Sequence, residues 1–330
     1  MLGSVPQRRR GRLADKQIGA SYSAFTLGEP LWGTLGLATN LQCAIGVACM
    51  AAALAGKWRS TIWRCISVKN QSAIEYGNFG DVAKFYLSRP PYAHRLISML
   101  SSFAKSCQTP STVADIGAGT GALTILLADM GWICRAVEPD GRMLEVGKSI
   151  TSGRNDIEWV QSSAEATTLR SADFSWVCVG NSYHWMKREA ALREFHRILR
   201  PGGIISVIFN LSDFDADDFQ ARIEEEIRRR APDIKRARPP IEAAMEKLEE
   251  DLDSSGLFES CVRLTARHIV EMSITNYLAS WNTSHDLRSQ MSTEEWSDLL
   301  AFIEDASKKR GQLSLVFKTS AWTAEKRHSG

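Results

Sequence analysis

A short apolar run that leads directly into three closely spaced glycines constrains this chain more than any other segment. Strand-forming residues occupy Thr112–Ile116, and an apolar helical pattern begins at Ala122. Between them lie Gly117, Gly119 and Gly121. Glycine has no Cβ, so a ligand can approach the backbone of such a turn, and the following helix offers free N–H donors at its N-terminus. The segment therefore predicts a strand, a nucleotide-binding turn and a helix.

The alternation of strand patterns and helical patterns continues along the rest of the chain. Strands that are separated by helices form a parallel sheet covered on both faces. We predict seven strands, at residues 112–116, 132–137, 157–160, 174–179, 204–210, 261–270 and 313–322. Helices are predicted at 122–128, 142–148, 187–200, 272–284 and 293–308, with Pro201-Gly202-Gly203 ending the helix 187–200. The expected fold class is α/β, with a doubly wound, mostly parallel, seven-stranded sheet.

The charged segment 211–256 lies between the fifth and the sixth predicted strands. Its apolar residues Phe219, Ile223 and Ile227 recur at four-residue spacing, which predicts a helix with one buried face. We interpret its runs of charge as a solvated helix face with ion pairs. The segment is predicted to be a helical cap insertion over the active edge of the sheet, within one domain that spans residues 71–330.

Residues 1–70 differ from the rest of the chain in charge and in hydropathy. They hold 9 basic and 2 acidic side chains, whereas residues 71–330 hold 31 basic and 36 acidic ones. The mildly acidic body argues against a nucleic acid partner. Leu31–Gly56 is a run of 26 residues without a charged side chain, which is long enough to cross a bilayer. Three interpretations stay open for this basic and apolar extension: an accessory segment, a membrane segment and a cleaved targeting peptide.

The seven cysteines indicate a reducing compartment. Their number is odd and they include no Cys-x-x-Cys pair, so the pattern is typical neither of a disulfide framework nor of a zinc site. We therefore expect a cytoplasmic protein that uses no metal. Contact with a membrane through residues 31–56 is the alternative.

Glu138 is a further feature that points to a bound nucleoside. It ends the second predicted strand, and a carboxylate at this position can accept hydrogen bonds from both ribose hydroxyls. The glycine pattern alone is ambiguous, because residues 117–122 also fit the dinucleotide fingerprint G-x-G-x-x-G/A. Asp115, two residues before the first glycine, and the one-residue spacing of the third glycine favour a different nucleotide site.

Four motifs occur in order along the chain. They are Asp115-x-Gly117-x-Gly119-x-Gly121, Glu138-Pro139-Asp140, Ser163-Ala164-Glu165 and Leu199-Arg200-Pro201-Gly202-Gly203. Together they resemble the motifs of class I S-adenosylmethionine-dependent methyltransferases. The resemblance implies a Rossmann-like methyltransferase fold, S-adenosylmethionine as the cofactor and methyl transfer as the reaction. A nicotinamide-dependent oxidoreductase and a non-catalytic S-adenosylmethionine-binding protein are the alternatives.

Two further motifs are similar to those of the small-molecule branch that includes trans-aconitate methyltransferases. They are Tyr86-Leu87-Ser88-Arg89-Pro90-Pro91-Tyr92 and Asn181-Ser182-Tyr183-His184-Trp185, and the resemblance covers about residues 74–325. It implies that Tyr86 and Arg89 close over the cofactor, with Arg89 paired to its carboxylate. The other implied cofactor contacts are Gly117, Ala118, Gly119 and Asn181 for the methionine part, Glu138 for the ribose, and Pro139, Met143, Ala164 and Glu165 for the adenine, with Asp115 beside the glycine turn.

The methyl acceptor is expected to be a small molecule that offers a carboxylate or a hydroxyl oxygen. A hydroxyl would need a general base, and His184, at the predicted carboxyl edge of the sheet, is the candidate for this base or for an orienting group. A pocket-shaping residue stacked on Trp185 is the alternative role. Placement alone suggests four residues for the substrate cavity: Arg267, His268, Tyr277 and Trp281.

Overall fold

The computed structural model describes residues 79–107 and 111–327, which form one seven-stranded sheet with helices on both faces. The strands are β1 (Thr112–Ile116), β2 (Ile133–Val137), β3 (Ile157–Val160), β4 (Phe174–Gly180), β5 (Leu199–Ser212), β6 (Phe258–Met272) and β7 (Leu313–Lys326). Their order across the sheet is β3-β2-β1-β4-β5-β7-β6. Strands β1 to β5 are parallel, whereas β7 is antiparallel to both β5 and β6. The predicted fold class is confirmed. The extension 1–70 lies outside the described residues.

The helices connect the strands, and several of them begin at capping residues. They are α1 (His94–Cys107), α2 (Ala122–Asp129), α3 (Gly141–Ile150), α4 (Arg188–Ile198), α5 (Asp218–Arg230), α6 (Arg238–Ser254), α7 (Ile274–Trp281), α8 (His285–Arg288) and α9 (Thr293–Arg310). Asp140 and Asp217 each precede a helix and accept two of its first backbone N–H groups, which otherwise have no partner within the helix. Two 3-10 segments, Phe79–Ser88 and Tyr183–Trp185, lie beside the sheet edge where the site forms.

The junction between α4 and β5 differs from the prediction. The helix predicted at 187–200 ends at Ile198, and Leu199 already has extended backbone angles and pairs with Phe174 of β4. Pro201-Gly202-Gly203 therefore lies inside the strand, next to an irregularity in the β4–β5 pairing, and does not end the helix. The physical reason is that tertiary pairing with β4 extends the strand at a point where local pattern shows only helix-breaking residues.

Two apolar cores lie on the opposite faces of the sheet. Successive side chains of a strand point to opposite faces, and in β1 Val113 packs into one core while Ala114 and Ile116 pack into the other. The core that contains Val113 is covered by α1 and α2, and the other core is covered by α4 and α6. The sheet is thus buried on both sides and offers its carboxyl edge for a site.

A third apolar cluster joins α5 to α7, α8 and α9, together with the ends of β6 and β7. We call these four helices, Asp218–Arg230 and Ile274–Arg310, the cap. The predicted insertion 211–256 contains α5 and α6, but Leu248 and Leu252 of α6 pack in the core under the sheet. The cap is therefore assembled from two separate stretches of chain on either side of β6.

Candidate active site

The turn after β1 depends on glycine at three positions. Gly117, Gly119 and Gly121 have φ angles of 69°, 59° and 91°, in the left-handed region that side chains with a Cβ disfavour. At Gly117 space is restricted too, because an added Cβ would lie 2.5 Å from Oγ of Ser182. The backbone N–H groups of Gly117 and Ala118 donate to the carbonyl oxygen of Val137 at 2.8 and 3.0 Å. This pair of bonds fixes the turn against the end of β2.

The carboxylate of Glu138 is held by backbone donors from two directions. Its Oε2 accepts the N–H of Gly119 at 2.8 Å and its Oε1 accepts the N–H of Asp140 at 2.9 Å. The side chain is buried at the carboxyl end of β2. A carboxylate oxygen can accept more than one hydrogen bond, so this geometry presents an oriented acceptor fork beside the glycine turn.

Asp115 is a buried carboxyl group at the end of β1. Its Oδ2 accepts a hydrogen bond from Oγ1 of Thr124 at 2.5 Å, whereas its Oδ1 is buried without a hydrogen-bond partner among the described residues. The pKa of Asp115 is raised to about 7, chiefly by burial and also by the negative charge of Glu138, although the bond from Thr124 opposes the shift. A ligand that donates to Oδ1 would satisfy this group.

Arg89 links the first 3-10 segment to the cap. Its guanidinium lies over the ring of Tyr86, 4.5 Å from the ring centroid, and its Nε donates to Oγ1 of Thr283 at 3.0 Å. Burial raises the pKa of Tyr86, the Arg89 charge opposes the shift, and the charges of Glu138 and Asp140 add to it. The two residues thus lie within electrostatic reach of Glu138.

Asn181 connects β4 to the segment that precedes α1. It has a positive φ of 54°, a conformation that Asn tolerates better than most residues. Its Oδ1 accepts the N–H of Asn210 at 2.8 Å, and Nδ2 of Asn210 donates to the carbonyls of Pro90 and Pro91 at 3.1 and 3.0 Å. Tyr92, next in the chain, accepts a longer bond of 3.4 Å from Nδ2 of Asn181. The amide network fixes the Arg89-Pro90-Pro91 segment over the sheet edge.

His184 is a neutral imidazole at ordinary pH. Burial, together with the positive charges of Arg89 and Arg188, lowers its pKa to about 4. The ring packs on Trp185 with a centroid distance of 4.9 Å and on Phe209 at 6.1 Å. Its Nδ1 is buried and has no hydrogen-bond partner in the part of the chain that the structure describes.

One cavity of about 730 Å³ brings these groups together. Every residue that the sequence analysis named for the cofactor lies in its wall, and so does His184: Tyr86, Arg89, Asp115, Gly117, Ala118, Gly119, Glu138, Pro139, Met143, Ala164, Glu165 and Asn181. Glu165 also has a structural partner, because its Oε1 accepts the N–H of Lys187 at 2.9 Å. The volume is within the range of small-molecule and cofactor sites.

The cap supplies the opposite wall of the same cavity. Tyr277 and Trp281 line it as predicted, but Arg267 and His268 do not. Both lie on β6, where Arg267 donates to Asp213 at 2.5 Å and His268 contacts the carbonyl of Pro91 at 3.0 Å. The cavity wall also contains residues that no local motif predicts: Phe214, Gln220, Glu224, Arg236, Thr283 and Asp286.

Two arginines that line the cavity, Arg236 and Arg238, form ion pairs with acidic side chains of the same chain. Arg236 makes ion pairs with Glu224 at 2.9 Å and with Asp286 at 3.0 Å, and all three side chains are largely buried. Arg238 pairs with Glu242 at 2.7 Å. Within residues 79–107 and 111–327, no group of three or more His, Cys, Asp or Glu side chains could hold a metal ion.

No helix in the described stretches has the length and apolar character that a membrane crossing requires. The apolar run 31–56, on which the predicted membrane contact depends, lies outside those stretches.

The central part of the chain is similar to known methyltransferases. Residues 114–207 match the family model of the methyltransferase domain. An uncharacterized methyltransferase of Schizosaccharomyces pombe is 31% identical over 134 residues, which are 40% of this chain and 52% of that protein. A ubiquinone/menaquinone biosynthesis C-methyltransferase of Rubrivivax gelatinosus is 28% identical over 132 residues, which are 40% of this chain and 49% of that protein. The chain spans about half the length of these curated relatives.

A solved structure has the same architecture. A putative type II methyltransferase from Anaeromyxobacter dehalogenans superposes with a TM-score of 0.51 at 18% sequence identity, over 72% of this chain and 97% of that one. At this identity the likeness concerns the fold. Residues 114–207 thus match a methyltransferase domain, and the sheet has the same fold as this methyltransferase structure.

Proposed function

We propose that this chain is an S-adenosylmethionine-dependent methyltransferase that methylates a small molecule on an oxygen atom, either a carboxylate or a hydroxyl. The observation that carries the proposal is one cavity whose wall includes the glycine turn, Glu138 and residues of the cap. The sheet side of the cavity has the groups that bind a nucleoside and an amino acid. The cap side leaves space for the methyl acceptor. Among class I methyltransferases we favour the small-molecule branch that includes trans-aconitate methyltransferases, on the motifs at Tyr86–Tyr92 and Asn181–Trp185.

The residues on the sheet side fit this cofactor. The buried Oδ1 of Asp115 has no hydrogen-bond partner among the described residues, as expected where a ligand supplies the donor. An added Cβ at Gly119 would meet only Cε of Met143, at 3.7 Å, so there is room above this part of the turn. Glu138 would hold the ribose hydroxyls, and Arg89 would pair with the carboxylate of the methionine part.

Met143 and Pro139 would flank the adenine. Both line the cavity next to Glu138, and Met143 is buried at the start of α3. Ala164 and Glu165 would contact the polar edge of the base, and Asn181 would face the methionine backbone. Each of these roles rests on the motif resemblance together with the position of the residue in the cavity wall.

When bound, S-adenosylmethionine supplies a methyl group on a positively charged sulfur, whose bond to carbon breaks with the electron pair left on sulfur. The lone pair of the acceptor oxygen forms the new bond, and a hydroxyl acceptor loses its proton. His184 is neutral, so it can accept this proton and pass it to water. Its low pKa does not prevent the transfer, because an oxygen becomes strongly acidic as it forms a third bond. The chain's main contribution is to align the acceptor and to exclude water.

Calorimetric titration with S-adenosylmethionine tests the proposal. The intact protein should bind in the micromolar range, and Glu138→Ala should weaken binding tenfold or more, about 1.4 kcal/mol. Glu158→Ala is the matched control, because Glu158 is an exposed acid on β3 that pairs with Arg135 and does not line the cavity. Absence of binding by the intact protein would overturn the proposal, and binding of a nicotinamide dinucleotide instead would favour the oxidoreductase.

Product analysis tests turnover separately from binding. Incubation with methyl-labelled cofactor and a mixture of candidate metabolites should give a labelled product that mass spectrometry detects. Binding without any labelled product would favour the non-catalytic alternative. We also propose a cytoplasmic enzyme, and recovery of the full chain in the membrane fraction would instead support tethering through residues 31–56.

A further inference from the structure

The wall of the cavity contains five aromatic side chains from the cap and from the segments beside it. Tyr277 and Trp281 lie one turn apart on α7, with ring centroids 6.0 Å apart and planes at 81°. Trp185, Phe214 and Phe317 also line the cavity. Aromatic rings of this kind pack against a flat ligand through faces and edges, so the wall suits a planar acceptor.

Polar atoms without partners concentrate around this cavity. Six buried side-chain polar atoms in the described residues have no hydrogen-bond partner, and four of them belong to cavity residues: Asp115, His184, Tyr277 and Trp281. Asp115 lies on the sheet side, and we have assigned it to the cofactor. The hydroxyl of Tyr277 and the indole N–H of Trp281 remain on the cap side, and Nδ1 of His184 remains beside the sheet edge.

The two groups on α7 interact only weakly with each other. A hydrogen-bond interaction with the Trp281 indole opposes the rise in pKa that burial gives Tyr277, but this contact does not reach normal hydrogen-bond geometry. Both can donate, and an uncharged oxygen of a ligand can accept from them. Buried polar groups normally have partners, so a ligand oxygen at this wall explains why these two have none within the described chain.

The charges on the cap side do not suit an acceptor with several carboxylates. Arg236 is already paired with Glu224 and Asp286, and Arg238 with Glu242. Arg89 and Lys235 line the cavity without an acidic partner among the described residues, and both are exposed. Because Arg89 is assigned to the cofactor, Lys235 is the one unpaired lysine or arginine that the described cavity wall leaves for the acceptor's charges. Burial of an unpaired carboxylate is strongly unfavourable.

We propose that the acceptor is an uncharged aromatic molecule that carries a hydroxyl group, and that Tyr277 and Trp281 determine this specificity. Their rings pack against the acceptor ring, and their O–H and N–H groups donate to its oxygens. The inference rests on the proposed methyltransferase function and names its substrate class. The proposed acceptor is uncharged and therefore differs from trans-aconitate, which is a tricarboxylate.

The experiment uses the full chain saturated with S-adenosylhomocysteine and measures ligand binding by calorimetry. Three probes are compared: 2-naphthol, 2-naphthoate, which has the same rings and one carboxylate, and trans-aconitate. We expect 2-naphthol to bind at least tenfold more tightly than either anion. Tyr277→Phe should weaken 2-naphthol binding about fivefold, the loss expected for one neutral hydrogen bond, and leave S-adenosylhomocysteine binding unchanged.

Tyr183→Phe is the matched control. Tyr183 is also buried with an unpartnered hydroxyl in the described structure, but it does not line the cavity. The Tyr183→Phe substitution should leave the affinity for 2-naphthol unchanged. Equal effects of the two substitutions, no binding of 2-naphthol, or tighter binding of trans-aconitate would each overturn the inference. Failure of the intact chain to bind S-adenosylhomocysteine would instead contradict the proposed function, so the two failures are distinguishable.

Discussion

The carboxylate of Glu138 accepts the backbone N–H of Gly119 at 2.8 Å and so ties the end of β2 to the turn after β1. Its second oxygen accepts the N–H of Asp140, the residue that caps α3. One buried carboxylate therefore fixes three backbone segments that meet at the cavity. The residue assigned to the ribose is consequently also a structural residue, and its two roles can be separated by experiment.

Glu138→Gln should destabilise the protein even without cofactor. An amide has one acceptor oxygen, so its NH₂ group would face a backbone N–H at Gly119 or Asp140, and one of the two buried donors would lose its partner. We expect a loss of about 1–3 kcal/mol in the free energy of unfolding, measured with urea in the absence of cofactor. Glu158→Gln, at an exposed position, should stay within about 0.5 kcal/mol of the wild type. An equal effect of both substitutions would contradict the structural role.

Gly117→Ala and Gly153→Ala separate backbone strain from steric conflict. Both glycines have positive φ, 69° and 85°, but an added Cβ at Gly153 has no atom within 4 Å, whereas at Gly117 it meets Oγ of Ser182 at 2.5 Å. Gly153→Ala should cost about 1–2 kcal/mol for the left-handed backbone alone. Gly117→Ala should cost about 1–3 kcal/mol more, the usual penalty of overpacking. Unfolding midpoints in urea provide the comparison, and equal losses would show that Ser182 moves aside.

The local parts of the site were predictable from sequence, because they depend on residues close together in the chain. The glycine turn and Glu138 lie at the ends of two neighbouring strands, where a glycine pattern and a strand end are visible in the sequence. The seven strands and the helices between them follow from apolar periodicity in the same way. The boundary between α4 and β5 at Leu199 was not predictable, because it is set by pairing of Leu199 with Phe174, twenty-five residues away.

The cap side could not be predicted, because its contacts join distant segments. Arg236 pairs with Glu224, twelve residues before it, and with Asp286, fifty residues after it. Arg89 reaches Thr283 across 194 residues. No periodicity or short motif encodes such pairs, and the split of the cap into two stretches around β6 follows from the packing of its helices. The neutral state of His184 depends on the same folding, since burial lowers its pKa most and Arg89 contributes.

Asp115 should make stability fall as the pH rises from about 4 to 7. Its pKa is raised to about 7 in the folded protein, so the native state keeps a proton that the unfolded chain has already lost in this interval. The loss amounts to at most about 4 kcal/mol, and it levels off above pH 7. Asp115→Asn removes this pH dependence, because an amide does not titrate. In urea titrations, the free energy of unfolding of the variant minus that of the wild type should therefore increase between pH 5 and 8. A constant difference would show that the carboxyl is ionised throughout.

His184 should remain unprotonated well below the pH at which an ordinary histidine titrates. With a pKa of about 4, its ring carries no charge at pH 5.5, and the cause is burial together with the charges of Arg89 and Arg188. NMR spectra of protein labelled at histidine should contain a resonance that shows no titration step near pH 6.5 and that is lost in His184→Gln. A step near pH 6.5 for that resonance would mean that the ring is solvated in solution.

His184→Ala should reduce turnover more for a hydroxyl acceptor than for a carboxylate acceptor. A hydroxyl loses a proton when it is methylated and a carboxylate does not, so only the first reaction gains from a neutral imidazole at the cavity wall. General base catalysis typically contributes about 10²–10⁴-fold, and we expect a loss near the lower end because the pKa of about 4 makes this ring a weak base. Single-turnover rates with saturating cofactor measure the step, and a hydroxyl and a carboxylate on the same aromatic ring give the matched pair of acceptors. Equal losses for both acceptors would assign His184 to the shape of the pocket, through its packing on Trp185 and Phe209.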